Sequence, residues 1–311
     1  KSVTLEISNR EARWLWLTTQ GLGHTPTGSM NLGKMIHDLG FVQIDSIRNV
    51  TRAHHHILWS RNQNYREPMI WDHMSKDRGI FEHFTHDASL IPMAFYPYWA
   101  RQFRRLGKRV ERHKYFSTIT DADLKFVMSR ITQDGPLCTR AFTSDRPRGK
   151  EMWARPAHKR ALDYLWYRGD LSTCHRKNFV KFYDLSERII PPDLRVEKGT
   201  DDDHVDWLCR EALARIGFGT LSDIAKFWDA VSLQEVKVWA DKYRSALIPA
   251  RIQSACGDWK EVFAAPDIET RLSNLSKPTS RLRIINPFDP AVRDRDRLEF
   301  LFGFKYKNEI F

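Results

Sequence analysis

The chain has 311 residues, with 50 Lys plus Arg against 39 Asp plus Glu, a net charge of +11 and a pI near 9.5. That excess favours a polyanionic partner such as nucleic acid; an acidic membrane surface is the other candidate, but no Lys/Arg-rich amphipathic stretch stands out. Hydrophobic residues are 41% and aromatics 12% of the sequence, including 11 Trp, which predicts a folded globular chain with a sizeable core. There is no apolar run of membrane-spanning length and no evident signal peptide. The four cysteines (Cys138, Cys174, Cys209, Cys256) are widely spaced and never form CxxC. They read as reduced thiols of a cytoplasmic protein, not as a disulfide frame or zinc site.

In chain order, Ser8 or Asn9 is placed to cap a helix over residues 10–20, and a second helix is expected over 30–39. Residues Gly40–Ile47 are rich in β-branched and aromatic types and read as a strand. Residues 99–109 (WARQFRRLGKR) predict a helix with a basic face. The spacing of Leu124, Val127, Met128 and Ile131 predicts a helix over 121–132 capped by Thr120 or Asp121. A loop with Arg146, Arg148 and Lys150 leads to a helix over about 156–168, ended by Gly169. Residues 171–174 and 179–185 read as a hairpin with its turn at 175–178. Helix, turn, helix and hairpin form the order of a winged-helix module. The order recurs: a helix over 204–216, a turn at 217–223, short helices over 224–228 and 233–243, then a hairpin from 247–252 and 259–263. A fainter version opens the chain. The expected fold is mainly α with small β-hairpins (α+β), as three tandem modules over 1–115, 116–198 and 199–268, then a last segment over 269–311. Asp201-Asp202-Asp203 reads as a charged linker and helix cap.

Within the 40–47 strand, alternation points Gln43 and Asp45 the same way and turns Ile44 to the core. A carboxylate there can hold a water, take its proton and stabilise nearby positive charge, while the amide aims the water. Lys159, Arg160 and Arg168 on the second helix of the middle module, with Arg176 and Lys177 at its hairpin, are candidates for phosphate contacts. His54-His55-His56 is expected on a strand, where successive residues point to alternating faces and do not converge on a metal. Trp59, Trp71, Trp99 and Trp153 are read as core, with base stacking as the alternative.

The chain resembles the AlkZ/AlkX (YcaQ) family of bacterial winged-helix DNA glycosylases. The resemblance rests on LxxQGL from Leu17, GFVQIDSI from Gly40, VxRAHH from Val50, FTHDASLIP from Phe84, LxxRGxL from Leu165, NPFDP from Asn286 and RDRLxxLFGF from Arg295. Gln43-Ile44-Asp45 is similar to the Gln-apolar-Asp variant of the family's catalytic strand. The resemblance implies three tandem winged helices in a C-shaped scaffold and a small β domain, of which 269–311 would be a truncated beginning. It implies a monofunctional glycosylase that needs no cofactor and no metal, excises N7-alkylpurines and unhooks interstrand crosslinks. Asp45 would activate water and stabilise the oxocarbenium, Gln43 would position the water, His86 would support the site, and Arg52 joins the DNA-binding candidates. The expected partner is double-stranded DNA bearing such lesions. The expected state is a cytoplasmic, nucleoid-associated monomer without membrane contact. The alternative is a non-catalytic winged-helix transcriptional regulator.

Overall fold

A computed structural model describes residues 4–142 and 157–307. The loop with Arg146, Arg148 and Lys150, the start of the predicted 156–168 helix, and Trp153 lie outside the described residues. Up to residue 66 the elements are β1 (Leu5–Ile7), α1 (Asn9–Thr19), α2 (Leu32–Leu39), β2 (Val42–Gln43) and α3 (Ala53–Arg61). Next come α4 (Glu67–Ser75), β3 (Ile80–Phe84), β4 (Ala88–Pro92), α5 (Ala100–Glu111), α6 (Asp121–Asp134), β5 (Leu137–Cys138), α7 (Ala157–Arg168), β6 (Leu171–Lys177), β7 (Val180–Leu185) and α8 (Ser186–Ile189). The last run is α9 (Asp201–Ile216), β8 (Phe218–Gly219), α10 (Leu221–Trp228), α11 (Leu233–Lys242), β9 (Ile248–Gln253), β10 (Trp259–Ala264), α12 (Ile268–Ser273), α13 (Pro290–Arg293) and α14 (Arg295–Phe302). The fold is mixed α+β with small sheets. Helix starts are written locally: Ser8/Glu11, Thr120/Asp123, Thr220/Asp223 and Ser232/Glu235 each form a reciprocal capping box, which satisfies donors that the first helical turn leaves open.

The described residues divide into two compact units. One holds 4–66, 85–88 and 205–307, the other 67–84, 89–142 and 157–204. In the first, the sheet order is β1-β9-β10-β8. β1 runs parallel to β9, with Leu5 opposite Ala250 and Ile7 opposite Ile252; β9 and β10 form the predicted hairpin. Strands far apart in sequence therefore share a sheet, which no local pattern announces. Arg61 and Asp289 form a buried bidentate pair, with Nη2 2.8 Å from Oδ1 and side chains 3% and 0% exposed. Asp289 also accepts from the Ala291 N–H and so caps α13. Residues 269–307 form helices α12–α14 and irregular chain, with no strand among the described residues. The expected opening of a β domain is corrected to helical structure: the Asp caps at 289 and 294 nucleate helices there.

In the second unit, α6, α7, β6 and β7 follow in the predicted order, and the unpredicted β5 joins them in the sheet order β5-β7-β6. Val127, Ile131, Leu162, Leu165, Trp166 and Leu185 pack in one cluster, so the periodicity of both helices marks a true core face. The hairpin turn is shorter than expected. Lys177 pairs with Val180, leaving Asn178 and Phe179 as a two-residue loop at φ 50° and 67°, the left-handed pair that a type I′ turn requires. Asn tolerates this; Phe179 is held there by Arg176, whose Nη1 donates to the Phe179 carbonyl at 2.8 Å and whose guanidinium lies 4.5 Å from the ring.

Trp99 is fully buried, as its core reading requires. Its Nε1 donates to His83 Nδ1 at 2.9 Å, and His83 Nε2 donates to the Trp166 carbonyl at 3.2 Å. His83 is therefore neutral, and burial pushes its pKa down to about 3 from 6.5. Below pH 6.5 the unfolded chain takes up this proton and the folded chain does not, so stability falls with acidification until the folded pKa is reached. We predict a loss approaching ~1.4 kcal/mol per pH unit from this group below pH 6. Urea melts at pH 7.0 and 5.0 read it, and His83→Gln should flatten the slope; an unchanged slope would refute the assignment.

Candidate active site on the Gln43 strand

The site begins at the α2 terminus. Gly40 caps α2 at φ 85°, and a Cβ there would meet Arg215 Cδ at 2.7 Å, so glycine serves both the turn and the packing. Phe41, Val42 and Ile44 are buried. Ile44 N–H donates to the Ala88 carbonyl at 2.8 Å, which sets the register beside His86 and Asp87. The regular strand is shorter than the sequence pattern suggests and ends at Gln43. Its end has a local cause: Asp45 Oδ1 accepts from the Ile47 N–H at 2.9 Å, an Asx turn that takes the chain off the ladder.

Gln43 is buried at 7% exposure. Its Nε2 donates toward Asp87 Oδ2 at 3.4 Å, and its Oε1 lies 3.0 Å from His86 Nε2. The same His86 nitrogen is 2.8 Å from Arg293 Nη1, while Nδ1 is 3.2 Å from Thr85 Oγ1. A neutral ring serves these partners one at a time: unprotonated Nε2 accepts from Arg293, and protonated Nε2 donates to Gln43. Burial, then the Arg293 charge, pushes His86 down to about 3, so it holds the carboxamide as a neutral group at pH 7. Burial also brings Arg293 down to about 10, which leaves it charged; its guanidinium stands 5.1 Å from the Phe41 ring centre. His86 and Arg293 line a cleft of about 390 Å³ with Trp16, Gln20 and Phe227.

Asp45 is held from its backbone as well. Its N–H donates to His54 Nδ1 at 3.3 Å, so the proton of this fully buried imidazole is on Nε2. The three histidines lie on α3, not on the expected strand. The chain is already helical from Ala53, with Arg52 at the N-cap. His55 Nδ1 meets Tyr65 Oη at 2.8 Å and His56 Nε2 donates to the Ile284 carbonyl at 3.0 Å, so each ring is turned to a different partner. A cluster of His, Cys, Asp or Glu with metal-site spacing does occur at Glu197, Asp201 and His204. Arg104 donates to Glu197 and to Asp201, supplying the positive charge an ion would bring. Asp201–Asp203 open α9, and Asp203 bonds back to Thr200, as the capping reading expects.

The DNA-binding candidates divide. Lys177 is exposed at the hairpin turn, and Lys159 and Arg160 are half-buried on α7. Arg168 is exposed beside Asp170, 2.9 Å away. Arg176 differs: Nε and Nη2 bond Glu82 at 2.9 and 2.7 Å, and its side chain is 8% exposed. Its charge neutralises a buried carboxylate, and the phosphate role is not carried forward. Arg52 belongs to the N-cap of α3. Sequence reasoning missed His54, Asp87 and Arg293; the one available signal was that Arg293 falls between the NPFDP and RDRL motifs.

A buried amide at the end of the strand and a turn-held carboxylate two residues on, in a strongly basic protein, make a candidate hydrolytic site for a polyanion. The model of the family described as DNA glycosylase AlkZ-like matches residues 36–311, which places the protein among the DNA glycosylases, enzymes of DNA repair. The chain belongs to the AlkZ-like DNA glycosylase family. Its fold is similar to that of the DNA glycosylase AlkZ of Streptomyces sahachiroi, with a TM-score of 0.63 and 16% identity over 92% of this chain and 76% of that one. No helix among the described residues is long and apolar enough to cross a membrane.

Proposed function

We propose that the enzyme excises N7-alkylpurines from double-stranded DNA, and unhooks interstrand crosslinks made through that position, by hydrolysing the N-glycosidic bond at Asp45 and Gln43. The observation that carries this is the pairing of a carboxylate fixed by its own Asx turn with a carboxamide fixed by a neutral histidine. An N7-alkylguanine is already cationic and leaves without protonation, so the enzyme's work lies at the sugar. As the bond lengthens, C1′ becomes oxocarbenium-like. Asp45 Oδ1 is engaged by Ile47, so Oδ2 faces the cation and takes the proton of the attacking water. Gln43 aims that water, and the mechanism calls for no lysine nucleophile and no metal. The helix–helix–hairpin order supports three winged-helix modules in tandem, and the enzyme acts as a monomer.

The test is base release from a duplex carrying one N7-methylguanine, followed by alkali. Free N7-methylguanine, with strand breaks only after alkali, is expected. Tight duplex binding without release would overturn the proposal in favour of a winged-helix regulator. Lys177 would contact phosphate: Lys177→Ala should weaken binding to every duplex alike and reduce the slope of log affinity against log salt by about 1. A sequence-selective loss in fluorescence anisotropy titrations would contradict that role.

A further inference from the structure

Residues 46–52 connect the Asp45 turn to α3 and lie in no helix or strand. They contain two branched aliphatic side chains held out in solvent, Ile47 at 64% and Val50 at 93% exposure. Single exposed apolar residues are ordinary. These two are set apart by what anchors them. The Ile47 N–H is bonded to Asp45 Oδ1 at 2.9 Å, the Asp45 N–H is bonded to buried His54 at 3.3 Å, and α3 begins directly after Arg52. The loop is thus pinned at one end to the carboxylate and at the other to a packed helix. Arg48 lies between the two aliphatic residues in sequence and Arg52 follows them.

Branched aliphatic side chains alternating with arginines along one loop match the chemistry of duplex DNA at a weakened step: the apolar groups enter the stack and the arginines meet phosphates. Hydrolysis at C1′ needs the sugar brought against Asp45, and in stacked B-form DNA the neighbouring base pairs resist that displacement. We propose that Ile47 and Val50 form a wedge that enters the base stack at the lesion and opens the step beside Asp45. The proposal rests on the reading of Asp45 as the hydrolytic carboxylate. It would let the enzyme expose C1′ without extruding the base, which matters where a crosslink ties that base to the opposite strand.

The experiment uses the full chain and a duplex holding 2-aminopurine next to a tetrahydrofuran abasic analogue, which no glycosylase can cut. Wild-type binding should raise 2-aminopurine fluorescence several-fold through unstacking. Ile47→Ser/Val50→Ser should abolish most of that rise, keep duplex affinity within about tenfold, and slow release of N7-methylguanine by about tenfold or more. Both substitutions are on exposed sites, and an unchanged thermal melt confirms the fold. An unchanged fluorescence rise in the double variant overturns the wedge. So does a double variant that acts normally on DNA but loses self-association in sedimentation, which would assign the patch to a second copy of the chain. Because the probe duplex is uncleavable, the wedge can fail or succeed independently of whether Asp45→Asn affects base release.

Discussion

Asp45→Asn is expected to lower release of N7-methylguanine by about 10²-fold or more, the scale of losing a group that both accepts a proton and faces developing charge, with duplex affinity nearly intact. The substitution is close to isosteric. An asparagine Oδ1 still accepts the Ile47 N–H that now bonds the carboxylate, and the backbone bond to His54 is untouched. Loop geometry therefore survives, and only the negative charge and its basicity are removed. Single-turnover base release and anisotropy titration, done together, separate chemistry from binding. Asparagine cannot take a proton from water, and its dipole stabilises an oxocarbenium far less than a full charge at the same distance. If the variant released base at the wild-type rate, Asp45 would be removed from the mechanism. If it lost duplex binding in parallel, its role would be structural.

The second large effect is expected at Glu82, where Glu82→Ala should cost about 3–5 kcal/mol, the range for leaving buried charges unpaired. Glu82 is fully buried and receives Arg176 at 2.7 Å and Lys181 at 2.8 Å. Lys181 is itself packed 3.6 Å from the Trp166 ring centre, and burial pushes its pKa down. Removing the carboxylate strands two cations in the core of the second unit. Urea melts should show the midpoint fall sharply at pH 7. The triple variant Glu82→Leu/Arg176→Met/Lys181→Met should recover most of the loss, because an apolar replacement has no charge to desolvate. A small effect of Glu82→Ala, or no recovery in the triple variant, would refute this account. The pH dependence has a definite sign. Burial alone would raise the Glu82 pKa, but the two cations outweigh it and hold it at about 2, below its usual 4.5. Its contribution is complete above pH 4.5 and is lost as pH falls toward 2. Mild acid thus reaches His83 well before it reaches the Glu82 cluster.

How much of this was legible in the chain follows from the range of the forces involved. Helix starts depend on a cap and its neighbour three residues on, so Ser8/Glu11, Thr120/Asp123 and Ser232/Glu235 can be read by eye, as can the apolar faces of α6 and α7. Ile44 in the core follows from the two-residue period of a strand; the same period turns Gln43 outward, yet Gln43 is buried against His86 and Asp87. The order of motifs along the chain sufficed for the glycosylase family. The strand's early end at Gln43 was also local, an Asx turn, but it competed with a strong β-branched pattern that pointed the other way. The histidine run at 54–56 has no period that separates strand from helix, and packing decided for α3.

What remained hidden depends on residues far apart in sequence. Arg293 reaches His86 across 207 positions, and Arg176 reaches Glu82 across 94; a hairpin arginine that looks poised for phosphate turns inward because a buried carboxylate needs its charge. The pairing of β1 with β9 and the joining of Arg61 to Asp289 likewise have no local sign. By itself the sequence determined most helix starts and the apolar faces of α6 and α7, and it nominated Gln43 and Asp45 as candidates for the chemistry, because those follow from spacing along one chain. Only the tertiary structure decided which cation neutralises which carboxylate, which histidine holds Gln43 and in what charge state, because desolvation and Coulomb energies depend on neighbours that the fold alone brings together.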